Sequence, residues 1–278
     1  MWDPSIYLRY GDERARPFGD LLARVGAQNP REVVDLGCGP GTLTIGLRER
    51  WPQARVIGLD SSEEMIVSAA ALGSEVEFKV TDVYDWTPGP AVDVVLANAL
   101  LQWVPGHPDL LRRWVGELGP DRWLAFQVPG NFDAPSHRLL REVAARPRWR
   151  DRVAEGLRDP AAVLNPAGYA QLLTGLGCHV DAWETTYLHL LPVHTPDGRS
   201  ASSRAGHDGR SATSRAGDEH PVLRWMEGTA MRPARKALSD ADWDEFRSEL
   251  RPLLASAYPA RDGVVAFPFR RIFVVART

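Results

Sequence analysis

Cysteine is nearly absent: only Cys38 and Cys178 occur in 278 residues, far apart in the chain. That excludes a disulfide scaffold and any cysteine-based metal cluster, and it fits a reducing compartment. Lysine is as scarce. Of 33 basic residues only Lys79 and Lys236 are lysine, and the other 31 are arginine. Codon bias in a GC-rich genome accounts for most of such a skew, yet arginine also grips carboxylates through a planar fork that lysine cannot imitate. No run approaches ~18 consecutive apolar residues, so no membrane span is expected. Met1 to Tyr10 lacks the apolar core of a signal peptide, and the expected location is the cytoplasm. Positive charge is not in excess either: the net charge is −3 and the pI is near 6.2. A chain that grips nucleic acid over its whole surface needs a clustered positive excess, so nucleic acid is not an expected partner. What remains, 44% hydrophobic and 25% charged residues, is an ordinary globular composition. The length suits one large domain or a core with an elaboration.

Between residues 31 and 128 short apolar runs alternate with helical segments. The runs are Glu32–Leu36, Arg55–Leu59, Glu75–Val80, Val92–Ala97 and Trp123–Val128. Most are β-branched and nearly continuous, as strands covered on both faces should be. Thr42–Arg50, Ser62–Ala71 and Asp109–Leu118 lie between them with helical spacing. That rhythm predicts an α/β doubly wound domain on a parallel sheet with right-handed crossovers. Asp12–Ala27 reads as an amphipathic helix with Phe18, Leu21, Leu22 and Val25 on one face. Ser136–Arg158 is arginine-rich and partly helical. Cys178–Leu191 and Val264–Arg277 read as late strands able to pair antiparallel.

Between the late strands, residues 198–208 and 209–219 form a tandem 11-residue repeat, Gly-Arg-Ser-Ala-Ser/Thr-Ser-Arg-Ala-Gly, without a large apolar side chain. It cannot bury enough surface to offset its ordering entropy and is expected to be a flexible insertion, or a basic docking loop. Beyond it, His220–Met231 and Ser239–Ala257 return to helical patterning, with Ser239 as a cap. The expected organisation is a substrate-closing segment and helix over 1–30, a core over 31–197 and 258–278, the insertion at 198–219, and a helical cap over 220–257.

The most informative stretch is Asp35-Leu36-Gly37-Cys38-Gly39-Pro40-Gly41-Thr42, where a strand enters a glycine turn and then a helix. Glycine allows positive φ and close approach of a ligand to the backbone. The spacing is G-x-G-x-G rather than the G-x-G-x-x-G of dinucleotide folds. Asp35 beside the turn suits a cationic amino-acid moiety better than a pyrophosphate. Asp60 ends the second strand, where an acid can accept both hydroxyls of a ribose, or simply cap the helix carrying Met65. Asp82 closes the third strand and suits an adenine amino group. The fourth ends at Asn98-Ala99-Leu100-Leu101. All four sites fall at carboxyl ends of consecutive strands, where doubly wound sheets bind ligands.

This ordered set, over roughly residues 30–130, resembles the class I S-adenosylmethionine-dependent methyltransferases. The resemblance implies a Rossmann-like sheet of seven strands, mostly parallel, with the last antiparallel. It implies S-adenosylmethionine as cofactor and S-adenosylhomocysteine as product. The expected cofactor set is Asp35, Gly37, Gly39, Gly41, Asp60, Ser61, Met65, Asp82, Val83 and Asn98. Asn98-Ala99-Leu100-Leu101 is unlike the Asn/Asp-Pro-Pro-aromatic segment of base and amide methylases. A closer likeness, nearly end to end, is to the trans-aconitate methyltransferases. It is carried by Trp2-Asp3-Pro4-Ser5-Ile6-Tyr7, Glu13-Arg14-Ala15-Arg16-Pro17, Leu101-Gln102-Trp103-Val104-Pro105-Gly106-His107, Gln127-Val128-Pro129-Gly130-Asn131, Trp183-Glu184-Thr185-Thr186-Tyr187-Leu188-His189, Met231-Arg232-Pro233, Tyr258-Pro259 and Arg271-Ile272-Phe273. The 198–219 repeat and the arginine-rich 146–158 stretch depart from it.

That likeness implies O-methylation of a carboxylate on trans-aconitate or a closely related small polycarboxylate. A tricarboxylate needs bidentate donors in an enclosed site, and Arg14, Arg232 and Arg271 lie in the matching segments, with Arg235 in reserve. Tyr7, Trp103, Tyr187, His189 and Tyr258 are candidate walls of the acceptor pocket. A carboxylate is already a nucleophile, so no catalytic base and no metal is expected, and Cys38 reads as a small turn residue. The alternatives are another acceptor, such as a phenol, a quinone precursor or a different organic acid, or a non-catalytic cofactor-binding protein that docks through the repeat. The expected state is a monomer or weak homodimer acting on a small anion.

Overall fold

A computed structural model describes residues 11–158, 160–193 and 219–278, except for the side chains of 11–14 and 160. Tyr7, the side chain of Arg14 and residues 198–218 of the repeat lie outside the described residues. In chain order the elements are α1 (Gly11–Leu22), β1 (Glu32–Leu36), α2 (Leu47–Arg50), β2 (Arg55–Asp60), α3 (Glu63–Ala70), β3 (Glu77–Val80), β4 (Val92–Asn98), α4 (His107–Glu117), β5 (Trp123–Pro129), α5 (Pro135–Ala144), α6 (Arg150–Val153), α7 (Pro166–Thr174), β6 (His179–Pro192), α8 (Pro221–Glu227), α9 (Arg232–Ala237), α10 (Asp240–Ala257), β7 (Ala260–Arg261) and β8 (Val264–Arg277). Contacts divide the chain into two compact units.

The core unit holds Tyr10–Gly130, Ala161–Thr185 and Arg270–Thr278. Its strands follow the order β3-β2-β1-β4-β5-β8-β6. β1 runs parallel to β2 and β4, β2 to β3, and β4 to β5. β8 pairs antiparallel with β5, setting Gln127 opposite Phe273 and Pro129 opposite Arg271. The mostly parallel sheet with its antiparallel late strands is the one expected, and the two-residue β7, paired antiparallel with β8, adds an eighth strand to the seven. β1 is buried along its whole length, and β4 up to Asn98, which is why both read as nearly continuous apolar runs. Val34, Leu36, Ile57, Val95, Trp114, Leu124, Phe126 and Tyr169 share one core cluster. Phe18, Leu21 and Val25 of the first amphipathic stretch are buried.

Two local features differ from the expected elements. The segment Thr42–Arg50 is a 3-10 turn over Thr44–Gly46 followed by the short α2. Gly37, Gly39 and Gly41 all take positive φ, which delays the start of the helix. α7 was not expected, although its signal is present: Asn165 accepts the Gly168 N–H at 2.8 Å and Pro166 opens the helix.

The cap unit contains residues 131–160 and 186–269, so it is larger than the 220–257 stretch expected. The reason is packing: α5 buries Leu140, Val143 and Ala144 and packs on α10. Ser239 caps α10 as expected, accepting the Asp242 N–H. Trp149 is fully buried, edge-on to Phe246. The arginines that looked anomalous in sequence serve this packing. Arg146 pairs with Glu249, Arg152 with Asp242, and Arg148 with Glu245 and Asp242. Arg148 and Arg152 also lie over the Trp149 ring. No helix among the described residues is long and apolar enough to cross a membrane.

Candidate functional site

In the core unit β1 has β2 on one side and β4 on the other, and the glycine turn leaves from its carboxyl end. Such a reversal of strand order opens a crevice. Here it is a cleft of about 580 Å³ lined by Leu36, Gly37, Leu59, Asp60, Ser61, Thr81, Asp82, Val83, Tyr84, Trp86, Leu100, Trp103 and Val104. Five of the expected cofactor residues meet there: Gly37, Asp60, Ser61, Asp82 and Val83. Trp103, expected as an acceptor wall, lines the same cleft.

The Asp60 carboxylate ties the turn to the end of β2. Its Oδ2 accepts the Gly39 N–H at 3.0 Å, and its Oδ1 accepts the Ser62 N–H at 2.9 Å. An ionised carboxylate has about four acceptor sites, so two remain after those bonds. Gly37 and Cys38 donate their N–H groups to Leu59 O at 2.7 and 3.0 Å. A Cβ on Gly39 would enter open space, leaving a bare stretch of backbone where a ligand can lie close. Gly41 has a different job. A Cβ there would meet Phe78 at 2.7 Å and Ala69 at 2.8 Å, so this glycine permits packing between elements. Asp82 Oδ1 accepts the Tyr84 N–H at 2.9 Å. Met65 stands outside the cleft lining, half-buried, with its N–H capped by Ser62.

Asp35 is buried below the turn. Its Oδ2 accepts the Thr44 hydroxyl at 2.7 Å, while its Oδ1 is buried with no hydrogen-bond partner among the described residues. Burial pushes its pKa up from 3.8 to about 7, the Thr44 hydrogen bond pulls it down, and the Asp60 charge adds to the rise. The folded value lies above the ordinary one, so this group's contribution to stability is full below pH ~4 and fades as pH rises through about 7. Burial, with the charges of Asp35 and Asp60, raises the Cys38 thiol as well, which leaves no nucleophilic thiolate.

At the end of β4 the chain turns through Ala99, a non-glycine residue at φ 56°, and the Ala99 N–H donates to Gln127 O at 2.9 Å. Gln127 is fully buried. Its Nε2 donates to Asn98 Oδ1 at 2.8 Å, and its Oε1 accepts from Arg271 at 3.2 Å. This relay joins expected residues Asn98 and Arg271 through one that was not foreseen. Its signal was a lone amide in an apolar strand.

The other acceptor candidates lie in the cap unit. His189 is stacked on Trp225 with ring centroids 4.8 Å apart, and Tyr187 is buried. Tyr258 packs edge-on to Phe267, and its hydroxyl accepts the Ser136 N–H at 3.0 Å. Arg232 is exposed at the start of α9. Arg235, the reserve candidate, is committed to Asp240 and lies over the Trp243 ring.

The strand order, the glycine turn and the acids after β2 and β3 define a class I methyltransferase fold. The family model described as "Methyltransferase domain" matches residues 7–182. The fold is shared with the YcgJ protein from Bacillus subtilis, with a TM-score of 0.55 and 11% identity over 95% of this chain and 98% of that one. It is also shared with Haemonchus contortus phosphoethanolamine N-methyltransferase 2, solved with S-adenosylhomocysteine, at TM-score 0.50 and 14% identity. There the match covers 94% of this chain and 52% of that one, about half its length.

Sequence relatives are more particular. A Mycolicibacterium gilvum protein named trans-aconitate 2-methyltransferase is 53% identical over 100% of this chain and 99% of its own. Proteins of the same name from Rhodococcus jostii and Mycobacterium tuberculosis are 50% and 48% identical, covering 100% and 99% of this chain and 99% and 96% of their own. The chain belongs to the methyltransferase-domain family and, within it, to the group these relatives form.

Proposed function

We propose that this chain binds S-adenosylmethionine and methylates a carboxylate of trans-aconitate, giving a monomethyl ester. The observation that supports this most is identity near one half, end to end, with proteins named for that reaction. The cleft at the β1 switch point fits the cofactor. Its buried Asp35 Oδ1, with no donor among the described residues, needs a cation such as the amino-acid ammonium. The two free acceptor sites on Asp60 suit the ribose hydroxyls, and Asp82 and Val83 suit adenine. Gly37 and Gly39 offer bare backbone, and Trp103 flanks the cleft.

When bound, S-adenosylmethionine supplies an electrophilic methyl group on a sulfonium, and S-adenosylhomocysteine leaves. The protein's part is to hold the acceptor in line and keep water away. A carboxylate carries its own nucleophilic electrons, so no residue need remove a proton. Arg271, in the core unit, is the carboxylate donor proposed here. Gln127 positions Arg271 through its hydrogen bond. A reaction that draws on S-adenosylmethionine belongs in the cytoplasm, and its partner is a small anion rather than a nucleic acid.

Asp35 gives the reading a pH signature. Below pH 7 the free protein holds Asp35 largely protonated, because burial pushes its pKa up to about 7. Pairing with an ammonium requires its ionised form. Cofactor affinity is therefore expected to rise with pH, up to ~10-fold per unit, and to level off above about 7. Asp35→Asn should flatten the curve, as read by calorimetry at pH 5.5 to 8. A wild-type affinity independent of pH would remove Asp35 from the ammonium.

An acceptor panel followed as S-adenosylhomocysteine formation tests the function itself. Trans-aconitate is expected to lead mono- and dicarboxylates, phenols and quinone precursors. Turnover with a phenol or quinone precursor and with no carboxylate would overturn the proposal.

A further inference from the structure

One buried polar contact of the core unit is not explained by packing. Asp35 lies in β1 among Val33, Val34 and Leu36, opposite Gly58 on β2 and Leu96 on β4. Its strand partners therefore bring no donor side chain to it. Thr44, fully buried in the 3-10 turn that follows the glycines, does. Its hydroxyl donates to Asp35 Oδ2 at 2.7 Å, reaching back nine residues along the chain. Asp35 Oδ1 is buried and has no hydrogen-bond partner among the described residues. Folding alone disfavours this half-made arrangement, because a buried acceptor without a donor keeps its full desolvation cost. Three influences act on the Asp35 charge: burial raises its pKa to about 7, the Thr44 hydrogen bond lowers it, and the Asp60 carboxylate raises it. The Cys38 thiol is near enough to feel that charge and, raised by burial, stays protonated. Of these groups, Thr44 alone favours the ionised carboxylate.

We infer that Thr44 is a positioning residue for the cofactor: its hydroxyl holds one Asp35 oxygen and leaves the other to meet a cationic amino group, a role that rests on the proposed pairing of Asp35 with the S-adenosylmethionine ammonium. Thr44 does not line the cleft and acts through Asp35. A hydrogen bond to a carboxylate stabilises its charged form over its protonated one. Without the hydroxyl, Asp35 gives up its proton only at higher pH, and cofactor binding has to drive more of that ionisation. The pH at which the site becomes competent is thus set by a neutral side chain.

The experiment uses the full chain with Thr44→Val, which keeps the volume and removes the hydroxyl, and Thr44→Ser, which restores it. Two quantities are read. The first is the Asp35 carboxyl titration by NMR in the cofactor-free protein, assigned by its absence in Asp35→Asn. The second is S-adenosylmethionine affinity by calorimetry from pH 5.5 to 9. Affinity is taken as a ratio to wild type at each pH, so that ionisation of the cofactor's own α-amino group near pH ~8 cancels. In Thr44→Val the Asp35 midpoint is expected to rise by about 1–2 pH units, a hydrogen bond to a charged group expressed as an ionisation shift. Affinity should fall ~10–100-fold at pH 6 and recover to within about threefold of wild type at pH 9. Thr44→Ser should reverse most of both effects. Recovery at high pH is the signature that a merely structural threonine would not show. A Thr44→Val affinity reduced equally at every pH, or an Asp35 midpoint unmoved in the free protein, overturns the inference and leaves the ammonium pairing standing. A wild-type affinity that does not rise between pH 5.5 and 7 overturns the pairing itself. The cofactor role of Thr44 then falls with it, even where the free-protein midpoint moves.

Discussion

Asp60→Ala is expected to weaken S-adenosylmethionine binding ~10²–10⁴-fold, the largest effect on the cofactor side. Two hydrogen bonds to a charged acceptor contribute ~1.5–3 kcal/mol each, and the substitution removes both. It also releases the Gly39 and Ser62 N–H groups that the carboxylate holds at 3.0 and 2.9 Å, so the glycine turn loses its tie to β2. Asp60→Asn should fall between wild type and alanine. Its amide oxygen can still accept on one side, but its NH₂ then faces a backbone donor. Calorimetry measures the change directly. An unaltered Kd in Asp60→Ala, with the fold intact, would leave this residue a turn anchor and end the ribose assignment.

Arg271→Met carries the largest expected effect on the acceptor side, lowering kcat/KM for trans-aconitate ~10²-fold or more. Arg271 is buried and stands opposite Pro129 at the end of the β5–β8 pairing, where Gln127 holds it. Methionine retains much of the volume while removing the charge and the fork. Cofactor affinity should stay within about threefold, since Arg271 does not line the cofactor cleft. Gln127→Leu probes the positioning role. It should raise KM more than it lowers kcat, because the guanidinium persists without its brace. If Arg271→Met melts earlier yet keeps its kcat/KM at low temperature, the arginine is only a structural partner of Gln127.

The core unit was legible in sequence because its order is local. Strands covered on both faces are mostly apolar, so β1 and β4 stood out as near-continuous runs despite Glu32, Asp35 and Asp93. The cleft at the carboxyl ends of the strands was legible for the same reason. Gly37, Asp60 and Asp82 each sit where a strand ends, and strand order then brings them together. What escaped depended on distant contacts. The arginine-rich 146–158 stretch looked like a departure, but it complements the acids of α10. Trp103, expected as an acceptor wall, lines the same cleft as Gly37, Asp60 and Asp82. Gln127 passed as a strand residue, since its partners Asn98 and Arg271 lie on two other strands.

The scarcity of lysine now has a physical counterpart. Arg148 and Arg152 stack on Trp149 while pairing with carboxylates, a combination an ammonium serves poorly. Arg271 carries the same fork to the position proposed for the acceptor.

The most direct test is the chemistry of the product. The full chain is incubated with trans-aconitate and S-adenosylmethionine labelled in the methyl group, and the acceptor is isolated and treated with mild alkali. The account predicts one labelled methyl per acceptor, bound as an ester and released as methanol. A label that resists alkali, or an acceptor that takes none while a phenol does, would contradict it.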